Sequence, residues 1–228
     1  MGDGRGQVRA AATEAFTVSN FGTPQEGFWA GEFGDAYTDR NTGPRRIASN
    51  LALFGRILSS TRDVHSILEL GANRGLNLLA LRQLLPEAKL SAVEINAKAV
   101  EELRKFDWLQ VTHASLLDVR PVAPVDLVLI KGVLIHLNPD MLPGVYDLMH
   151  AASARYVCIV EYYNPSPVSI TYRGHADRLF KRDFAGELLA THRDLRLVDY
   201  GFVYHADPNF PQDDLTWFLL EKCPAVID

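Results

Sequence analysis

The chain has 228 residues, 47% hydrophobic and 22% charged, with a formal net charge of −5. That is an ordinary globular composition with material for one good core, and its acidity speaks against a dedicated nucleic-acid binder, whose affinity rests on neutralising phosphates. No apolar stretch approaches the ~18 residues of a spanning helix, and the N-terminus lacks a signal-peptide core, so a cytoplasmic protein with no membrane partner is expected.

Residues 1–12 are small and polar and are expected to be a disordered tail. Residues 13–60 read as a helical N-terminal extension. Between Phe28 and Asn41, aromatic residues, acids and glycines mix without a clean period. Trp29, Phe33, Tyr37 and Arg40 there suit a lid over a flat or cationic ligand. A helical cover on one sheet face, or a subunit contact in a homodimer, suits them as well. Pro44 to Ser60 reads as a helix, with Ile47, Leu51, Phe54 and Leu58 on one face.

The next stretch organises the rest. Ser66 to Leu70 is a short apolar strand carrying Glu69, and Gly71 to Gly75 is a turn with glycine at both ends. A helical pattern follows at once, from Leu76 to Leu85. A strand turning sharply into a helix start makes a nucleotide cradle, because glycine admits a close ligand and the free N–H groups point at it. Leu90 to Ile95 gives a second strand, with Glu94 spaced to accept the hydroxyls of a ribose.

Asn96 can cap a helix with Val100 and Leu103 inward. Trp108 to Thr112 is a third strand, Val125 to Ile130 a fourth and Tyr156 to Val160 a fifth. A helix starting at Asn138 and Pro139 precedes the fifth strand. A long loop then runs through Tyr172 to Arg182, and Phe184 to Thr191 looks helical. Leu195 to Tyr204 and Leu215 to Leu220 close the chain as strands. The sum is an α/β domain over residues 61–228, a doubly wound, mostly parallel seven-stranded sheet with one antiparallel member near its edge. Its crevice lies at the strand carboxyl ends, where Glu69, Glu94, Ser115, Lys131 and Glu161 fall. Both cysteines, Cys158 and Cys223, sit in apolar strand-like runs and are expected to be buried and inert. No histidine or cysteine spacing suits zinc, so no metal is expected.

The motif Glu69-x-Gly71-x-x-x-Gly75, the acid Glu94 and the strand from Val125 to Ile130 resemble a class I S-adenosylmethionine-dependent methyltransferase. More narrowly, five segments resemble the pseudaminic acid biosynthesis-associated methylases: Phe28 to Gly34, Gly132 to Pro139, Glu161 to Pro165, Arg173 to His175, and Phe210 to Phe218. The resemblance implies S-adenosylmethionine as cofactor. It implies that Glu69 and Gly71 hold the methionine end, that Glu94 takes the ribose hydroxyls, and that Ile95, Ser115 and Leu116 meet the adenine. Lys131 and Gly132 are implied on the methionine side. Asn73 stands where such turns often have glycine, and asparagine is the least costly substitute at positive φ. A dinucleotide enzyme is the rival, but its glycines are usually spaced G-x-G-x-x-G. An acid two residues before Gly71 repels a pyrophosphate and suits an ammonium group.

Methyl transfer from a sulfonium needs nucleophile, methyl and sulfur in line. A carboxylate acceptor needs no base, whereas a hydroxyl or ammonium acceptor benefits from one. The candidates for a base are His136, Tyr163 and His175, with Tyr162 and Glu161 beside Tyr163. Arg173, His175, Arg178, Lys181 and Arg182 give the loop after Tyr172 a local positive field. An anionic small-molecule acceptor such as a sugar acid is therefore expected, methylated on oxygen or nitrogen and gripped by Tyr172, Arg173 and Arg178. Asp207, Asp213 and Asp214 can bind sugar hydroxyls or make turns. A peptide acceptor and a cofactor-binding partner protein without turnover stand as alternatives, and the chain is expected to be a monomer or homodimer.

Overall fold

The computed structural model describes residues 21–120 and 123–223, so the expected tail at 1–12 lies outside the described residues. The chain opens with α1 (Pro24–Ala30), α2 (Glu32–Arg40) and α3 (Pro44–Leu58). Thr23 and Glu26 start α1 as a reciprocal capping box. Pro44 opens α3, where a missing N–H costs nothing.

Strands and helices then alternate: β1 (Ser66–Leu70), α4 (Leu76–Leu84), β2 (Lys89–Glu94), α5 (Ala97–Leu103), β3 (Leu109–His113), β4 (Val125–Lys131), α6 (Leu142–Ala152) and β5 (Ser153–Glu161). A hairpin of β6 (Val168–Tyr172) and β7 (His175–Lys181) precedes α7 (Phe184–Thr191), β8 (Leu195–Val203) and β9 (Leu215–Lys222). Seven strands form one sheet in the order β3-β2-β1-β4-β5-β9-β8. β1 to β5 pair in parallel and β9 runs antiparallel between β5 and β8.

Both faces of the sheet are covered, which is why β4 is apolar without a break. Leu127 and Leu129 pack on the face of α3 and α4, with Leu53, Phe54, Ile57 and Leu81. Val128 and Ile130 face the other layer, with Val145, Met149 and Leu188. The buried stripe of α3 is rotated from the expected one. Leu53, Phe54 and Ile57 are buried, while Ile47, Leu51 and Leu58 are half-buried. Ser49 and Asn50 share the inward side because part of this helix walls a cavity and not the apolar core.

Two further expectations change. The long loop is the β6–β7 hairpin, closed by Arg173 (φ 49°) and Gly174 (φ 88°) with Tyr172 opposite His175. Positive φ at both central residues matches the twist of paired strands. Its signal is hidden because Val168 and Ile170 are exposed and charges interrupt the alternation. Cys158 is buried in β5, but Cys223 is exposed, one residue past the end of β9. No helix of the described residues is long and apolar enough to cross a membrane.

Candidate active site

The turn after β1 is built from three left-handed residues: Gly71 (φ 77°), Asn73 (φ 47°) and Gly75 (φ 76°). A Cβ on Gly71 would stand 2.6 Å from Val133 Cγ2, and one on Gly75 would stand 2.8 Å from Leu103 Cδ2. Space and dihedral both require glycine there. Asn73 tolerates its dihedral, and its amide donates to Thr38 Oγ1 of α2 at 3.0 Å. Glu69 lies fully buried behind the turn. Its Oε1 accepts from Asn77 Nδ2 at 2.6 Å, and its Oε2 has no hydrogen-bond partner. Burial pushes its pKa up to about 8.

Glu94 ends β2 beside this turn. Its two oxygens accept the backbone N–H groups of Asn73 (2.7 Å) and Asn96 (2.8 Å). Burial still holds its pKa above the usual carboxylate value, against the pull of those bonds. Asn96 caps α5 and ties the N-terminal helices down, donating to the Trp29 carbonyl at 3.2 Å and to Asp35 Oδ1 at 2.7 Å. Ser115, after β3, donates to the buried Glu26 of α1. So α1 and α2 roof the carboxyl ends of β1, β2 and β3 and do not lie on a sheet face. Trp29 and Tyr37 line the cleft.

The cleft encloses a cavity of about 430 Å³. At one end are Glu94, Ile95, Ser115 and Leu116; in the middle are Gly71, Asn73, Lys131 and Gly132. Trp29, Tyr37, Arg40, Tyr162, Tyr172 and Arg173 line the other end. Glu69 and Gly75 support the turn from behind and do not reach the surface of the cavity. Phe33 stacks on Phe28 (4.1 Å between centroids) as part of the roof.

Of the three base candidates, His136 alone lines the cavity. It ends the 3-10 turn Leu134–His136, which Glu161 caps by accepting the N–H groups of Val133 (2.8 Å) and Leu134 (2.9 Å). Its Nδ1 lies 2.6 Å from the Arg178 carbonyl oxygen. A carbonyl only accepts, so Nδ1 carries the proton and Nε2 the lone pair. Burial pushes its pKa down to about 4, so the ring is neutral. Tyr163 is exposed and pairs with Arg182 at the foot of the hairpin. His175 packs on Phe28 and Phe33, outside the cavity.

The hairpin clasps the roof and contributes one cation to the cavity. Arg178 covers the Phe28 ring at 5.3 Å, Lys181 covers Tyr162 at 4.7 Å, and Arg182 pairs with Glu187 at 2.7 Å. Only Arg173 of this group lines the cavity. The positive field is assembled instead from four elements: Arg40 from α2, Arg46 from α3, Lys131 from β4 and Arg173 from the hairpin turn, with Asp213 facing them. Arg46 and Asn50 of α3 escaped the sequence reading. They are polar residues one turn apart on an amphipathic helix, the pattern of any solvated face. Of the three aspartates left open above, Asp213 reaches the cavity. Asp207 accepts the N–H groups of Asn209 and Phe210 in a turn, and Asp214 pairs with His205 at 2.8 Å.

At the opposite pole, His150, His192 and Asp194 bring three possible metal ligands together. The two rings stack face to face (4.1 Å, 8°), His150 Nε2 lies 2.9 Å from Asp194, and His192 Nε2 lies 3.1 Å from Asp147. One nitrogen of each ring thus faces a different carboxylate, and burial holds the pKa of His192 below its usual value.

No family model matches the chain, and no curated protein matches it. Solved structures do. The plantazolicin methyltransferase BpumL, in complex with a pentazolic desmethylPZN analog and SAH, superposes with a TM-score of 0.60 at 14% identity, over 88% of this chain and 95% of its own. The Burkholderia thailandensis 1,6-didemethyltoxoflavin-N1-methyltransferase does so with 0.61 at 16% identity, over 86% and 84%. The glycopeptide N-methyltransferase MtfA, complexed with S-adenosyl-L-methionine, gives 0.58 at 12% identity, over 77% and 94%. The chain has the fold of these methyltransferases.

Proposed function

We propose that the protein is an S-adenosylmethionine-dependent methyltransferase whose acceptor is a small anionic metabolite. One observation carries this: a single cavity joins an end lined by Glu94, Ile95 and Ser115 to a compartment lined by Arg40, Arg46 and Arg173, with Lys131 between them. The residues fit the cofactor. Glu69 keeps a buried oxygen without a partner, as a carboxylate does that awaits an ammonium group. Gly132 (φ 68°) has open space where a Cβ would stand, so backbone can approach a ligand. Gly71 would hold the methionine end, with the Glu69 carboxyl group acting on its ammonium from behind the turn, Glu94 the ribose hydroxyls, and Ile95 and Leu116 the adenine. When bound, S-adenosylmethionine supplies a methyl group already activated on sulfur.

The protein's own part is then to hold the acceptor in line and exclude water. Trp29 and the roof close the cleft from above. The arginines suit a carboxylate or phosphate, which fits an acidic sugar or its nucleotide-linked form, the acceptor class of the pseudaminic acid-associated resemblance. His136 offers Nε2 as a hydrogen-bond acceptor facing this space.

A second reading, a side chain or terminus of a peptide or protein, draws on two similar structures, a plantazolicin methyltransferase and a glycopeptide N-methyltransferase. Calorimetric titration with S-adenosylmethionine and with NAD tests the cofactor, and binding of NAD alone overturns the proposal. Product mass after incubation with sugar acids and with peptides separates the two acceptor readings.

A further inference from the structure

We propose that Lys131 is the group that takes the proton from the acceptor, and that the field of the carboxyl groups on the two neighbouring strands favours its taking it. This rests on the methyltransferase reading above. Lys131 ends β4, the strand between β1 and β5 at the centre of the sheet. Glu69 stands on β1, opposite Leu129, and Glu161 follows Val160, the partner of Lys131 on β5. Each of these glutamates keeps one buried oxygen, Oε2, with no hydrogen-bond partner. A buried carboxylate oxygen left alone is costly, and the cost falls if a proton or a cation is shared with it.

Lys131 lines the cavity that the two glutamates do not reach, so it is the member of the trio exposed to an acceptor. Among the described residues its Nζ makes no ion pair within 4.0 Å, so the two glutamates act on it through their field and not by contact. The charged groups around it are Glu69, Asp213, Arg46 and Glu161. Burial drives its pKa down, Arg46 adds to this, and the three acids oppose it. Glu69 and Glu161 are themselves raised, to about 8 and about 7, by burial. The proton affinities of amine and carboxyl groups are thus shifted towards each other, the direction general-base chemistry needs. The other titratable groups facing the same space do not serve. His136 is neutral but holds protons too weakly, and the hydroxyls of Tyr37 and Tyr162 are raised, which makes them donors.

The step balances as follows. The proton of an acceptor O–H or N–H goes to Lys131 Nζ. The electron pair it leaves forms the bond to the methyl carbon, and the pair of the broken carbon–sulfur bond stays with sulfur. Lys131 leaves the step as an ammonium ion, favoured by the field of Glu69, Asp213 and Glu161. A sulfonium and an ammonium arriving beside Lys131 also disfavour its charged form, so cofactor binding is expected to strip its proton beforehand.

Calorimetry on the full chain at pH 7.5, in buffers of different ionisation heat, counts that proton without any acceptor. S-Adenosylmethionine binding is expected to release up to about one proton, more than S-adenosylhomocysteine, which lacks the sulfonium charge. Lys131→Met and Lys131→Arg are expected to lose most of that difference. The arginine variant keeps the charge and guards against a folding artefact in the methionine variant. Release that persists in both variants and vanishes in Glu69→Gln places the proton on Glu69 and overturns the inference. Cofactor binding without proton release overturns it too, while leaving the methyltransferase reading intact. If the wild-type chain binds no S-adenosylmethionine, both fall.

Discussion

Glu94 Oε2 accepts the backbone N–H of Asn73 at 2.7 Å, so the acid of β2 holds the turn that follows β1. The carboxylate proposed to meet a ribose also shapes the turn beside it. Substitution by alanine removes the proposed ribose partner and leaves the N–H groups of Asn73 and Asn96 unpaired. A charge-assisted bond of this kind contributes about 1.5–3 kcal/mol, so Glu94→Ala is expected to weaken S-adenosylmethionine binding tenfold or more. Calorimetry checks this, and unchanged affinity removes Glu94 from the site.

Gly71 combines a left-handed backbone with a neighbour, Val133, that leaves no room for a Cβ. Gly71→Ala is expected to cost roughly 1–3 kcal/mol of stability and most cofactor affinity. Pairing it with Val133→Ala separates the two causes. If the double variant regains stability, the contact dominates; if not, the dihedral does.

Arg46 and Arg173 reach the cavity, whereas Arg178 lies over Phe28. Alanine at either of the first two is expected to raise the acceptor KM about tenfold or more, with the cofactor Kd within twofold. Arg178→Ala is expected to loosen the roof and act on the cofactor Kd instead. Steady-state kinetics on the acceptor identified by product mass, beside cofactor titration, distinguishes the patterns. Equal effects at all three positions sink the anionic-acceptor proposal.

His136 and Glu69 make stability depend on pH in opposite senses. The folded pKa of His136 is depressed from 6.5 to about 4, so its contribution is present above pH 6.5 and is lost as pH falls from there through 4. Glu69 is raised from 4.5 to about 8, so its contribution is present below pH 4.5 and is lost as pH rises through 8. Chemical unfolding of the cofactor-free protein is expected to show His136→Gln flattening the acidic limb, by on the order of 3 kcal/mol at most. Glu69→Gln is expected to flatten the alkaline limb. Parallel limbs in wild type and variants would mean that neither group is shielded from water as described.

Much of the sheet and the cradle could be read in advance. An apolar strand, a glycine at each end of a five-residue turn and an acid after β2 are local requirements, imposed by backbone dihedrals and by burial on both faces. They show in the residues that meet them, as Gly71, Gly75 and the β4 run do. The acceptor end was far less legible. Its cations come from α2, α3, β4 and a hairpin turn, far apart in the chain, and each alone looks like a solvated charge. His175 and Arg178 sat in a suggestive basic run, yet packing of the hairpin on Phe28 turned them away. The direction of a side chain on a roof or a hairpin follows from how distant elements dock, which no local period records. Thus Glu69 through Gly75 and Glu94 were set by short-range chemistry, while the meeting of Lys131 with Arg46 and Asp213 came from folding the whole chain.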